Sequence, residues 1–147
     1  MLRVYEFEIF EDEGLFLALP YDFDGGTQGG SFAEACEMAA SWLQCECEER
    51  IMHEKPLPEP SFGNEPRNGG KTVIVAVSAG KDTVRKVRAA QAAEILGVTR
   101  GRVSQMISAG QLESFRERGT VWVTEDSIEA RLAEQPKAGR PRKAVMA

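Results

Sequence analysis

Gly97 separates two helical periodicities, each too short to persist unless it packs against the other. Ala89, Ala92, Ala93 and Leu96 recur at helical spacing and make one small, tight face. Val103, Met106 and Ile107 do the same on the other side of the glycine. Helices shorter than about 12 residues are marginal alone in water, so these two must share a core. A residue with positive φ ends a helix most cheaply when it is glycine, which makes Gly97 the stop. Thr99 is a good N-cap for the second helix. The spacing predicts a helix from Val87 to Leu96, a turn into which Val98 packs, and a helix from Thr99 to about Ser108. Two helices joined so tightly form a helix-turn-helix, whose second helix keeps one face outward.

That outward face carries Arg100, Gly101, Arg102, Ser104, Gln105 and Ser108, rather than the Glu/Lys mixture of a merely solvated helix. Arg and Gln match the hydrogen-bonding edges of guanine and adenine. Gly101 strips away a side chain where the backbone would approach a duplex, although glycine inside a helix costs about 1 kcal/mol. Beyond Gln111-Leu112 the chain reads as a strand, a turn at Arg118-Gly119 and a return over Thr120 to Val123. Phe115, Val121 and Val123 anchor this hairpin, with Arg116 and Arg118 at its tip. Thr124 caps a closing helix whose first turn holds Glu125 and Asp126, where the helix dipole favours them. Residues 84–132 resemble the excisionase and MerR-type winged helix-turn-helix. By that resemblance the helix at 99–108 reads the major groove of operator DNA, and the hairpin wing reaches phosphate or the neighbouring minor groove. The expected DNA contacts are Thr99, Arg100, Gly101, Arg102, Ser104, Gln105, Ser108, Arg116 and Arg118.

The charge distribution divides the chain in the same place. Residues 1–70 hold 15 Asp/Glu against 4 Lys/Arg, a net of −11, and residues 71–147 hold 8 against 14, a net of +6. Opposite signs suggest a polyanion as one partner and something basic as the other. The tail Lys137-Ala138-Gly139-Arg140-Pro141-Arg142-Lys143 adds Arg140, Arg142 and Lys143 as candidate DNA contacts. Its Gly-Arg-Pro-Arg core resembles an AT-hook, which lays arginines into narrow minor grooves. A solvated basic tail is the other reading, and either would steepen the salt dependence of DNA binding.

In the front half, Tyr5, Phe7 and Ile9 alternate with Glu6 and Glu8, the period of a strand with one buried side. Glu11-Asp12-Glu13-Gly14 turns it into a second strand, Leu15 to Leu19, stopped by Pro20. Thr27-Gln28 between two Gly-Gly pairs is either a loop or a third, edge strand. Ser31 with Glu34 forms a capping box for a helix whose stripe is Phe32, Ala35, Cys36, Ala39, Leu43 and Cys47. A proline-rich segment, Lys55 to Ser61, comes next, and then an apolar strand from Thr72 to Val77. Cys36, Cys45 and Cys47 with His53 could suggest a metal, but on one helix Cys45 points about 160° or more away from the other two. Reduced cysteines, two of them in a core, are the expectation, with no metal and no cofactor.

The order of these pieces resembles the HicB antitoxin family over residues 3–80: the Tyr-bearing strand, acidic turn, strand ending at Pro20, Thr27-Gln28-Gly29, a helix opening Phe32-Ala33-Glu34-Ala35, then Leu57-Pro58-Glu59-Pro60-Ser61 before a Val-rich strand. The resemblance implies an α+β fold, a truncated ribonuclease-H-like unit of order β-β-β-α-β, followed in this chain by the winged helix-turn-helix. It implies a small basic HicA-like toxin, an mRNA-cleaving protein, as partner. The family more often carries a ribbon-helix-helix or another helix-turn-helix at the back, so the winged form departs from it. Expected domains are 1–80, 81–134 and a basic tail at 135–147. Glu11, Asp12, Glu13, Asp22 and Asp24 are the expected toxin contacts, since an acidic inhibitor of an RNA-cleaving protein associates by electrostatic steering.

Catalysis is not expected. A ribonuclease-H-like site needs carboxylates converging on two metal ions, and the strand at 72–77 has none. The chain then reads as an antitoxin that also represses its own operon; a one-component regulator whose front half senses a small molecule is the alternative. One recognition helix reads few base pairs, so a homodimer or higher homo-oligomer is expected. Apolar runs such as Val73 to Val77 are far short of the ~20 residues that span a bilayer, and no secretory signal is evident at the start. No membrane and a bacterial cytoplasmic location are the expectations.

Overall fold

The computed structural model describes residues 1–134. It divides into two compact units, Met1–Thr83 and one beginning at Val84. The first unit holds β1 (Leu2–Asp12), β2 (Leu15–Pro20), β3 (Thr27–Gly29), α1 (Phe32–Met52) and β4 (Lys71–Ser78). Its strands form one antiparallel sheet in the order β3-β2-β1-β4. The Thr27–Gly29 segment is therefore an edge strand.

Alternation decides the core. Tyr5, Phe7 and Ile9 of β1, with Ala18 of β2 and Val75 and Val77 of β4, face Ala35, Ala39, Leu43 and Cys47 of α1. Phe23 and Trp42 fill the gap between the layers, meeting Tyr5 and Phe7 edge to face at ring separations of 4.8 to 6.0 Å. Glu13 and Gly14 both take positive φ, the two-residue turn whose twist suits a tight hairpin. Gly29 has a packing reason as well: an added Cβ would lie 2.6 Å from the Ala35 nitrogen.

Three expectations are corrected by this packing. Phe32, placed in the buried stripe by spacing, is exposed, its ring meeting the edge of Phe16. The cap of α1 is split: the Ser31 hydroxyl accepts from the Glu34 amide, but the Glu34 carboxylate takes the Gly30 amide rather than that of Ser31. Most consequentially, β1 is buried on both sides, with Glu6 5% and Glu8 2% exposed. Alternation alone put these two carboxylates in solvent. Instead residues 63–70 donate hydrogen bonds to them across that face of the sheet.

The second unit contains β5 (Lys86–Arg88), α2 (Ala89–Leu96), α3 (Arg100–Ser108), β6 (Ser114–Glu117), β7 (Thr120–Thr124) and α4, described over 125–134. Its sheet has the order β5-β7-β6. The expected helix from Val87 thus begins two residues late. Val87 is β-branched and pairs with Val123 on the central strand of the sheet, while the Arg88 amide donates to Gln91 and opens α2. Ala92, Ala93, Leu96, Val103, Met106, Leu112, Val123 and Ile128 make the core.

Candidate nucleic-acid interface

The turn between α2 and α3 is built as its residues require. Gly97 has φ +71°, and the amides of Gly97 and Val98 close back on the carbonyls of Glu94 and Ala93. The Thr99 hydroxyl accepts the Arg102 amide at 3.1 Å, fixing the first turn of α3. With Val103 and Met106 buried, Arg100, Gly101, Arg102, Ser104, Gln105 and Ser108 are all exposed. Arg102 donates to the Gln105 side-chain oxygen at 3.4 Å, so the two base-matching side chains stand together. A Cβ on Gly101 would meet nothing closer than 3.9 Å, so no packing among the described residues explains the glycine.

The hairpin of β6 and β7 turns at Arg118-Gly119, both with positive φ. Arg116 and Arg118 are exposed on it. Between α3 and this wing runs an open groove of about 320 Å³ lined by Ser104, Ile107, Ser108, Ser114, Phe115, Arg116 and Val121. The fold therefore brings Ser104, Ser108 and Arg116 to one groove from two elements. Ser114, Ile107 and Phe115 were missed as lining residues, because only the hairpin register reveals which strand residues face the helix.

Four acids of this unit are engaged elsewhere. Arg85 lies within 3.5 Å of carboxylate oxygens of Glu125, Asp126 and Glu129, and Glu117 pairs with Lys86 at 3.7 Å. Lys86 and Arg88 also lie over the Trp122 ring, 5.3 and 5.5 Å from its centroid. Helix α3 has no acid of its own, so its charge is undiluted. The remaining sequence candidates, Arg140, Arg142 and Lys143, lie outside the described residues.

In the first unit, Glu11, Asp12 and Glu13 crowd the exposed tip of the β1–β2 hairpin, and Asp24 is exposed nearby in sequence. Asp22 differs. Its two oxygens accept from the Ser61 amide (3.0 Å) and hydroxyl (2.8 Å), so it pins the proline segment rather than offering a free charge. Tyr5 donates its hydroxyl to the Pro58 carbonyl at 2.6 Å, a second pin.

Glu6 accepts from the amides of Gly63 and Asn64 and from the Asn64 side chain, at 2.9 to 3.1 Å. These bonds, the Asn64 amide first, hold its carboxyl below the ordinary range. Glu8 accepts from the amides of Arg67, Asn68 and Gly70 and from the Asn68 side chain, at 2.8 to 3.0 Å. Burial pushes its pKa up, but the four donors outweigh it and the carboxyl stays low. Both carboxylates are thus committed to folding the loop. Burial likewise raises the Cys47 thiol, and none of the three cysteines is joined in a disulfide.

No family model matches the chain, and no curated protein matches it. Among solved structures, a chain described as "Toxin-Antitoxin complex from Streptococcus pneumoniae" is similar at 19% identity, over 75% of this chain and 99% of that one, with a TM-score of 0.49. Among the described residues no helix is long and apolar enough to cross a membrane.

Proposed function

We propose that this chain is a DNA-binding antitoxin of the HicB kind, which masks a small basic mRNA-cleaving toxin with its front unit and represses its own operon with its rear unit. One observation carries the DNA half: α3 and the wing present Arg102, Gln105, Ser104, Ser108 and Arg116 on and beside a single groove, with no acid on the helix. The helix would enter the major groove and the wing arginines would hold the backbone. Two copies on two half-sites, about one helical turn apart, would supply the affinity that one short helix lacks.

The toxin half rests on the β-β-β-α-β order, the sequence resemblance and the acidic hairpin tip at Glu11, Asp12 and Glu13. Masking, not cleavage, is the proposed activity. The carboxylates a metal pair would need from β1 already accept seven hydrogen bonds from residues 63–70.

The test is co-expression with whatever small basic reading frame adjoins this gene, followed by purification through a tag on this chain alone. A stoichiometric complex, and a shifted band with DNA from upstream of the gene pair, are expected. Absence of both would refute the proposal. Stabilisation by a small metabolite, with no protein partner, would instead make this a ligand-sensing regulator.

A further inference from the structure

Strand β4 closes one side of the first unit's sheet, and no described strand pairs with its outer edge. Such an edge presents a row of unpaired amides and carbonyls, and proteins ordinarily blunt it with charge, proline, a bulge or brevity. Proline and brevity are missing along this one, and charge is confined to its first residue. Lys71 to Ser78 is eight residues long, carries its single charge at one end and contains no proline. By contrast β3, at the opposite edge, has three residues.

The side chains around it are equally unprotected. Leu2 pairs with Ser78 and Glu6 with Ile74, so Leu2, Ile74 and Ala76 lie on the sheet face away from α1. Met1 extends the same pairing through its carbonyl, which accepts from Ala79. Met1, Leu2 and Ile74, at 74%, 65% and 64%, are the three most exposed large hydrophobic residues among those described. They all gather at β4 and the start of the strand beside it.

Charge narrows the occupant. The front half carries a net of −11 over 70 residues, yet residues 69–81 contain two lysines and no acid. A basic partner is drawn elsewhere, to the acidic hairpin. What does fit is the strand itself. Thr72-Val73-Ile74-Val75-Ala76 reads with the same alternation in both directions about Ile74. An antiparallel two-fold pairing centred there sets Ile74 against Ile74 and Thr72 against Ala76. It separates the two Lys71 by roughly 20 Å at about 3.3 Å per residue.

We propose that a second copy of this chain pairs with β4 edge to edge, joining two four-stranded sheets into one of eight. The interface is isologous, as a two-fold dimer requires, with roughly eight inter-chain backbone hydrogen bonds and the exposed isoleucines at its centre. It gives the copy number assumed for operator binding a physical site, in the unit that does not touch DNA. It stands or falls without DNA or toxin.

The experiment uses the full chain with Cys45→Ser, free of DNA and partner. Under mild oxidation Ile74→Cys should form an inter-chain disulfide, and so should an equimolar mixture of Ile74→Cys and Ala76→Cys chains if the register is one step along. Gln28→Cys, exposed on the opposite edge strand, should not. In sedimentation velocity Ile74→Lys should weaken self-association at least ~10-fold, since it sets like charges against each other across the two-fold axis. Ile74 is solvent-exposed, so that variant keeps its fold, which circular dichroism checks. Cross-linking at 74 and 76 no faster than at 28, or a dimer indifferent to Ile74→Lys, overturns the proposal. Failure of DNA binding alone would leave it intact.

Discussion

Replacing Glu8 by Gln changes one oxygen to an NH₂ group and removes the charge, with almost no change in shape. In the native chain each carboxylate oxygen takes two donors: Oε1 from the Arg67 amide and Asn68 side chain, Oε2 from the Asn68 and Gly70 amides. Whichever way the new amide turns, two donors lose their acceptor and face another N–H. Hydrogen bonds to a charged, buried group contribute about 1.5–3 kcal/mol each. Residues 67–69 are exposed, so water can recover part of the loss. The expected destabilisation is about 2–4 kcal/mol, or a fall of roughly 2 M in the urea midpoint of a domain this size. Trp42 lies in the first unit and Trp122 in the second, so a Trp122→Phe background lets fluorescence follow the first unit alone. Acid provides a second readout. The native pKa of Glu8 lies below its unfolded value, so its contribution is complete above about pH 4.3 and is lost as pH falls through the lower native value. Glu8→Gln should therefore flatten the acid limb of the stability curve. A loss below ~0.5 kcal/mol, or an acid limb as steep as the parent's, would refute the view that this carboxylate holds the loop.

At the proposed DNA face, Arg102→Ala and Gln105→Ala should each cost about 1–3 kcal/mol of discrimination between operator and random DNA, measured by competition binding; equal losses on both DNAs would show that neither reads bases. Gly101→Ala should stabilise the second unit by up to ~1 kcal/mol, since nothing among the described residues obstructs the new methyl. The same change should weaken DNA binding, and unchanged affinity would remove the case for close backbone approach. Gly97→Ala also meets no atom within 4 Å but must adopt φ +71°, so it should cost about 1 kcal/mol in thermal unfolding, and Gly97→Asn less. Deleting 137–147 should reduce the slope of log affinity against log salt, by about 0.9 for each phosphate no longer neutralised; an unchanged slope would mean the tail does not touch DNA.

Local chemistry made much of this protein readable in one dimension. The alternation around Tyr5, Phe7 and Ile9, the stop at Gly97, the cap at Thr99 and the turn at Arg118-Gly119 each depend on neighbours a few residues away. The outward face of α3 was legible for the same reason, because the positions of Val103 and Met106 settle which side of so short a helix is buried. Long-range pairing was not legible. That Val87 belongs to a sheet follows from Val123, 36 residues on, and Phe32, which spacing puts in the buried stripe, stays exposed with the Phe16 ring of β2 as its neighbour. Glu6 and Glu8 show the limit most clearly. Their alternation marks them for solvent, and only a loop arriving from residues 63–70, with its amides aimed at two carboxylates, makes burying them favourable. Sequence period assigns a side chain to a face; what later covers that face is decided by the rest of the chain.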